Sequence, residues 1–233
     1  MHCVIFDIDG TLVQTHAREA DCFIAAMTEA TGISRITKDL SQYEHVTDSG
    51  IARQCFQSHF HRSPSDQELV AIESIFLQKF SHALKETPMV PIPGVHGLFD
   101  ALTQQKDTAI AIATGSYFRS GQLKLSQAGL GLAHLPLASC DRHYARIEIM
   151  QYAADQLKKT YNVSKFDSIV YVGDGPWDIT AVKKLGWGFI GIASGYSAAQ
   201  LMAWGAKSVV KDYLALNDFF IQLDAARRLF LAD

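Results

Sequence analysis

The stretch Cys3-Val4-Ile5-Phe6-Asp7-Ile8-Asp9-Gly10-Thr11-Leu12 decides how the rest of the chain is read. Its apolar run, Cys3 to Phe6, predicts a buried strand, with two aspartates where the strand ends and a turn at Gly10. Alternate side chains of a strand share a face. If the chain stays extended past Phe6, Asp7 and Asp9 point the same way at the C-terminal end of that strand. Carboxylates that close repel unless a cation sits between them or one holds a proton. The pattern therefore points to a metal, to a nucleophile paired with a general acid, or to both. A surface turn uses the same residue types. A calcium loop counted from Asp7 would need Gly at Leu12 and Glu at Arg18, and neither fits.

With 233 residues the chain has room for one large domain or two small ones. Its 48% hydrophobic and 19% charged content is that of a globular protein with ample core. A formal charge of -3 gives no basic excess, which disfavours nucleic acid or a membrane surface as partner. The four cysteines, Cys3, Cys22, Cys55 and Cys140, form no CxxC pair, as expected for reduced thiols in a cytosolic protein rather than a disulfide scaffold or a zinc site. The predicted first strand begins almost at Met1, so no signal peptide is expected. No apolar run has the length of a membrane span. A cytoplasmic protein is expected.

Beyond Leu12 the pattern turns helical. Ala17, Ala20, Phe23, Ile24, Met27 and Ala30 predict one face of a helix over about Thr15 to Thr31, with Gly32 as its stop. A second helix is expected from about Asp48 to Phe60. Ser63-Pro64-Ser65 opens a third, with Pro64 at an early helical position and Glu68 closing a capping box from Ser65. The segment Pro88 to Gly94 reads as a linker. After it, strands and helices alternate: strands at Thr108–Ala113, Leu135–Ala138, Ser168–Val172, Gly188–Ile192 and Ser208–Val210, and a last helix running to about Leu231. That alternation predicts an α/β fold with a doubly wound parallel sheet, and the near-continuous apolar strands suit a sheet covered on both faces. The helical stretch is then an insert after the first strand, giving a core of residues 1–14 and 89–233 and a helical domain of residues 15–88.

Ligands of such sheets bind where strands end, so chemistry-bearing residues are expected there. Strand Thr108–Ala113 runs into Thr114-Gly115-Ser116, whose hydroxyls and backbone N–H groups before a helix suit a phosphate, or a plain N-cap. Strand Ser168–Val172 runs into Gly173-Asp174-Gly175-Pro176-Trp177-Asp178, which would project Asp174 and Asp178 beside Asp7.

These pieces together resemble the haloacid dehalogenase superfamily, in its phosphoglycolate-phosphatase-like branch with a helical cap. Asp7-Ile8-Asp9-Gly10-Thr11 looks like its first motif, Thr114 its second, and Gly173 to Asp178 its fourth. Gly195-Tyr196 and Gly205-Ala206 resemble the tail of that branch, and Val46-Thr47-Asp48 the cap stretch that faces substrate. The family's third motif is usually a lysine. Here Ala145-Arg146-Ile147-Glu148-Ile149 stands in its place, so its role passes to Arg146, with Arg142 as second choice. Arginine grips phosphate oxygens bidentately.

The resemblance implies a Mg²⁺-dependent phosphatase acting on a small phosphomonoester, with phosphoglycolate and sugar phosphates among the candidates. Asp7 would be the nucleophile and Asp9 the general acid and base. Asp7, the backbone carbonyl of Asp9 and Asp174 would hold the metal, supported by Asp178. Thr114, Gly115 and Arg146 would bind phosphate, and Thr47 and Asp48 would touch the leaving group. The partner is then a small phosphorylated metabolite, with no nucleic acid or membrane, and the chain a monomer or homodimer.

Other activities share this core. Asp9 argues against a dehalogenase. A phosphonatase needs a cap lysine, and Lys38, Lys79 and Lys85 have no recognisable context. A sugar-phosphate mutase and a non-catalytic binding module stay open. Gly186-Trp187-Gly188-Phe189-Ile190-Gly191 spells a dinucleotide fingerprint, but it enters a strand rather than a helix. His16 is expected at a solvent-facing helix start, Cys140 as a small buried residue, and Tyr117 and Trp177 against the core.

Overall fold

The computed structural model describes residues 1–229, so the expected helix end near Leu231 lies outside the described residues. Strand β1 (His2–Phe6) lies at the middle of a six-stranded sheet. With β2 (Thr108–Ala113), β3 (Leu137–Ala138), β4 (Ser168–Gly173), β5 (Gly188–Ile192) and β6 (Val209–Val210), the order is β3-β2-β1-β4-β5-β6. Every pairing is parallel. Residues of β2, β4 and β5 are buried along their whole length, because helices cover both faces. The order reverses between β1 and β4, and that switch point opens a crevice at the C-terminal strand ends. Register sets the height of the site: Phe6 pairs with both Ile112 and Val172, and the Asp7 N–H continues the ladder by donating to the Val172 carbonyl at 2.9 Å.

The helices between β1 and β2 are α1 (Glu19–Thr31), α2 (Asp48–Phe60) and α3 (Asp66–Glu86), followed by α4 (Val95–Thr103). Helix α1 starts later than the periodicity suggests. Arg18 at its N-cap supplies no side-chain bond, and the chain before it is held by His16, whose ring bonds the Thr87 carbonyl at 2.8 Å. His16 is therefore buried, not solvent-facing. Gly32 closes α1 in the left-handed conformation (φ 77°), as its position implies. Helix α3 has the full Ser65–Glu68 capping box, but Pro64 precedes the cap instead of standing inside the helix. The segment after α3 is less free than a linker: Val13 pairs with Pro91, and the Ile92 N–H donates to the Leu12 carbonyl.

The rest alternates as expected, with α5 (Phe118–Gln127), α6 (Arg146–Tyr161), α7 (Pro176–Leu185), α8 (Ala198–Trp204) and α9 (Leu216–Leu229). Pro176 takes the first position of α7, where its missing N–H costs nothing. Tyr213, fully buried, donates its hydroxyl to the Thr11 carbonyl at 2.9 Å and so ties the chain's last third to the loop after β1. Among the described residues no helix is long and apolar enough to cross a membrane.

A column of rings joins the helical insert to the sheet domain. Phe23 of α1 meets Phe76 of α3 edge-on at 5.9 Å, and Phe76 stacks on Phe80 at 5.5 Å. Tyr117, just before α5, approaches Phe76, while Lys124 of α5 sits over the Phe80 ring at 5.8 Å. One continuous apolar core results. Phe80→Ala should therefore cost about 3–5 kcal/mol, as a fully buried ring leaves a cavity at this junction. Urea denaturation measures it, and a loss below about 1 kcal/mol would show that the insert does not rest on this column.

Candidate active site

Asp7 and Asp9 follow the central strand, and both line one cavity beyond its end. Each turns to a different cation. Asp7 is buried, with Oδ1 accepting from the Ile8 N–H at 2.8 Å and Oδ2 lying 3.3 Å from Arg146 Nη1. The Asp9 Oδ2 accepts from Lys124 Nζ at 2.6 Å and from the Ser116 hydroxyl at 3.0 Å. Its other oxygen is buried and has no hydrogen-bond partner among the described residues. β1 ends at Phe6, the Asp7 N–H still continues the ladder, and past Asp9 the Leu12 and Val13 N–H groups fold back to the Ile8 carbonyl.

On the Asp7 side, Asp174 and Asp178 complete a buried cluster. Each of the three offers an oxygen, and these atoms lie within 4.8 Å of one another. Gly10 makes this possible: it is left-handed (φ 67°), and a Cβ there would fall 1.9 Å from Asp174 Oδ2. Asp178, fully buried, accepts from the Gly175 N–H with one oxygen and sits 3.1 Å from Arg146 Nη1 with the other. Burial, reinforced by neighbouring acids and opposed by Arg146, raises the Asp7 pKa to about 7. Burial and the charges of Asp178 and Asp7 push Asp174 well above the usual range, and burial raises Asp178 too. An all-carboxylate, oxygen-only donor set with more negative charge than Arg146 balances fits a hard divalent cation, which would hold all three ionised.

Arg146 opens α6 and reaches back over the strand ends. Its Nη2 donates to the Val46 carbonyl at 3.0 Å, and a Cβ on Gly115 would lie 2.6 Å from that nitrogen. Glycine at position 115 thus lets arginine and backbone share one spot. Burial works against its charge, yet Asp178 and Asp7 keep it firmly protonated. Arg142 is exposed and stacks on Tyr152 instead. Thr114 directly follows β2, buried, its hydroxyl accepting from the Ser116 N–H at 3.1 Å.

Lys124 carries no signal from the motifs, and it is fully buried. Besides Asp9 it holds the Ser116 hydroxyl at 2.8 Å and forms an ion pair with Glu19 of α1. Burial opposes its charge, but Asp9, Glu19 and Asp48 more than restore it. Glu19 is pushed up to about 8, by burial first and then by the Asp9 charge. A sequence signal existed: Lys124 falls on the same α5 stripe as buried Ser120, Gly121 and Leu125, where a solvated lysine has no place.

Residues Val46 to Ser49 latch the insert to the sheet domain. Thr47, the N-cap of α2, donates its hydroxyl to the Tyr144 carbonyl at 2.7 Å. The Asp48 N–H donates to the Gly115 carbonyl at 2.8 Å, its carboxylate accepts from the Tyr117 N–H at 3.0 Å, and Ser49 donates to the Cys140 carbonyl. Burial raises the Asp48 pKa to about 6. Cys140 and Tyr117 are buried as expected.

Asp7, Asp9, Thr114, Gly115, Arg146, Asp174, Thr47 and Asp48 all line one cavity of about 380 Å³, together with Trp177 and Tyr196. Asp178 stands behind it. A larger cleft, about 810 Å³, lies outside α1 and α3; it holds none of the motif residues, so the smaller one is the candidate site.

A family profile of haloacid dehalogenase-like hydrolases matches residues 1–186. No curated protein sequence matches the chain. Among solved structures, a hydrolase from Pseudomonas syringae superposes with TM-score 0.69 at 21% identity, covering 97% of this chain and 99% of that one. A predicted phosphoglycolate phosphatase from Haemophilus somnus 129pt gives 0.61 at 18% identity, with 94% and 97% covered. A provisionally assigned beta-phosphoglucomutase from Thermotoga maritima gives 0.57 at 20% identity, with 95% and 99% covered. At such identities the likeness is one of fold.

Lys124→Met would leave the half-buried Asp9 and Glu19 carboxylates without their cation. It should destabilise the protein by about 3–5 kcal/mol, and adding Glu19→Gln should recover part of the loss. Chemical denaturation of the single and double variants measures both. A Lys124→Met protein within about 1 kcal/mol of wild type would contradict the cluster as described.

Proposed function

The chain belongs to the haloacid dehalogenase-like hydrolases, and from that premise we propose that it is a Mg²⁺-dependent phosphatase cleaving a small phosphomonoester through an aspartyl-phosphate on Asp7. The observation that carries this reading is the division of labour at the end of β1. One aspartate sits with Arg146 in the carboxylate cluster, and the other sits on Lys124 and Ser116 with an oxygen left unpartnered.

In this reading Asp7 attacks phosphorus in line, the P–O bond to the leaving group breaks, and a new P–O bond forms to the carboxylate. Asp9 gives its proton to the departing oxygen. It then takes a proton from the water that cleaves the acyl phosphate, which restores both residues. Thr114, the Gly115 N–H and Arg146 bind the phosphoryl oxygens. Bound Mg²⁺, held by Asp7, the Asp9 carbonyl and Asp174 with Asp178 in support, would supply positive charge against that of nucleophile and phosphate. Asp178 also orients Arg146 through its carboxylate. Residues 15–88 act as a cap that excludes water, and residues 1–14 and 89–233 as the catalytic core. Thr47 and Asp48 fix the closed position of the cap through the latch, so their effect on specificity runs through cap placement. The substrate is a small phosphorylated metabolite of the cytoplasm, and the enzyme works as a monomer or homodimer.

Asp7→Asn should fold as wild type and lose phosphate release by about 10⁴-fold or more. A chelator should abolish release by the wild-type protein. A colorimetric phosphate assay over a panel of small phosphomonoesters measures both, and wild-type-like turnover by Asp7→Asn would remove Asp7 as the nucleophile.

A further inference from the structure

The cavity has chemically opposite walls. Its floor is charged, made by Asp7, Asp9, Asp174 and Arg146. Its roof is apolar: Ala20, Phe23 and Ile24 from α1, Ile36 and Leu40 from the segment after it, and Ile51 from α2.

Most polar side chains of the insert along that roof are engaged with the protein; Thr15 at its edge, and Tyr196 and Trp177 across from it, make no side-chain hydrogen bond among the described residues. His16 uses one ring nitrogen on the Thr87 carbonyl and the other on the Arg18 N–H. Thr37 accepts from the Asp39 N–H, and Thr47 is engaged with Tyr144 and Gly50. Lys38 is paired with Asp21 at 2.6 Å, and Glu19 with Lys124. The floor cation, Arg146, stands beside Asp7 and Asp178, where the phosphoryl group rather than the leaving group would meet it.

A leaving group that carries a carboxylate would meet hydrocarbon over most of that roof, with the exposed Lys38–Asp21 pair at the rim as its source of a cation there, and Glu19 and Asp48 on the same wall would repel it. A polyol would leave hydroxyls unpaired there. Hydrocarbon meets neither cost and gains from leaving water. Resting on the phosphatase reading above, we infer that the substrate is the phosphate monoester of a small, uncharged, apolar alcohol. The roof is then the specificity wall, with Phe23, Ile24, Ile36 and Leu40 as the residues that select the leaving group. At about 380 Å³ the whole cavity is near the lower end of small-molecule sites, so the alcohol is short.

The test compares kcat/KM for ethyl, propyl and butyl phosphate, whose leaving groups are chemically alike, with phosphoglycolate, glycerol 3-phosphate and glucose 6-phosphate. p-Nitrophenyl phosphate serves as the control for phosphatase chemistry. Each added methylene should raise kcat/KM about 4-fold, the ratio equivalent to burying one CH₂. Butyl phosphate should exceed phosphoglycolate by about 100-fold. Calorimetric binding to the Asp7→Asn variant should give the same order without turnover. Ile24→Arg should invert the preference toward phosphoglycolate, and Leu40→Asn, in a short exposed turn, should flatten the alkyl series if the first variant fails to fold. A flat or falling alkyl series, or a preference for the charged or polyol esters, with control turnover intact, overturns the apolar leaving group and leaves the phosphatase standing. Failure of folded, magnesium-loaded enzyme to cleave any ester, the control included, overturns the phosphatase reading, and the specificity assignment falls with it.

Discussion

A surplus of carboxylates has to be buried where β1 and β4 end, and the rest of the structure is arranged around that cost. Asp7, Asp174 and Asp178 crowd one side of the crevice, while Asp9, Glu19 and Asp48 crowd the other. Isolated charges in such a place would be neutralised by protonation or would unfold the site. Arg146, mostly buried, and Lys124, fully buried, divide the load. Neither cation could be exchanged for a neutral residue without stranding at least one acid. Burial and mutual repulsion raise the proton affinities of Asp7, Asp174 and Asp178 in spite of Arg146, and a divalent cation held by the three would complete the balance there.

This arrangement also explains why the helical insert and the sheet domain meet where they do. Glu19 comes from α1, so the Lys124 side of the site is complete only when α1 lies against α5. The Val46 carbonyl accepts from Arg146, and Asp48 caps the turn after β2, so the other side depends on the same approach. The ring column through Phe76 and Phe80 supplies apolar surface for that contact, and the Val46–Ser49 latch supplies its register. Burial of charge, apolar packing and cap position thus depend on one another. The apolar roof is a consequence: once the insert's polar groups are spent on the latch and on Lys124, hydrocarbon is what faces the cavity.

Much of this was legible in the residues. Apolar runs ending in Asp7, Thr114 and Asp174 place those groups at neighbouring strand ends as soon as the sheet is taken as parallel, and the helical periodicity after Leu12 locates the insert. These are local patterns, and local patterns survive folding. What could not be read was directional or long-range. Alternation along a strand put Asp7 and Asp9 at one site, but it carried no information on the separate cations, Arg146 and Lys124, that each of them meets. His16 looked exposed because its partner, the Thr87 carbonyl, is far along the chain. Lys124 sat in a helix read only for its boundaries, and its buried stripe was the missed clue. Thr47 and Asp48 were expected to face substrate; they line the cavity, yet their hydrogen bonds go to the sheet domain, which no spacing rule encodes.

The measurement that bears most directly on the central claim is acid quenching of the enzyme during turnover of its best ester, followed by peptide mass analysis. The account predicts a phosphoryl group on the peptide carrying Asp7, labile to hydroxylamine as an acyl phosphate must be, and absent from Asp7→Asn. A phosphoryl group on another residue, or steady phosphate release with no covalent phosphoryl-enzyme at any time, would contradict it.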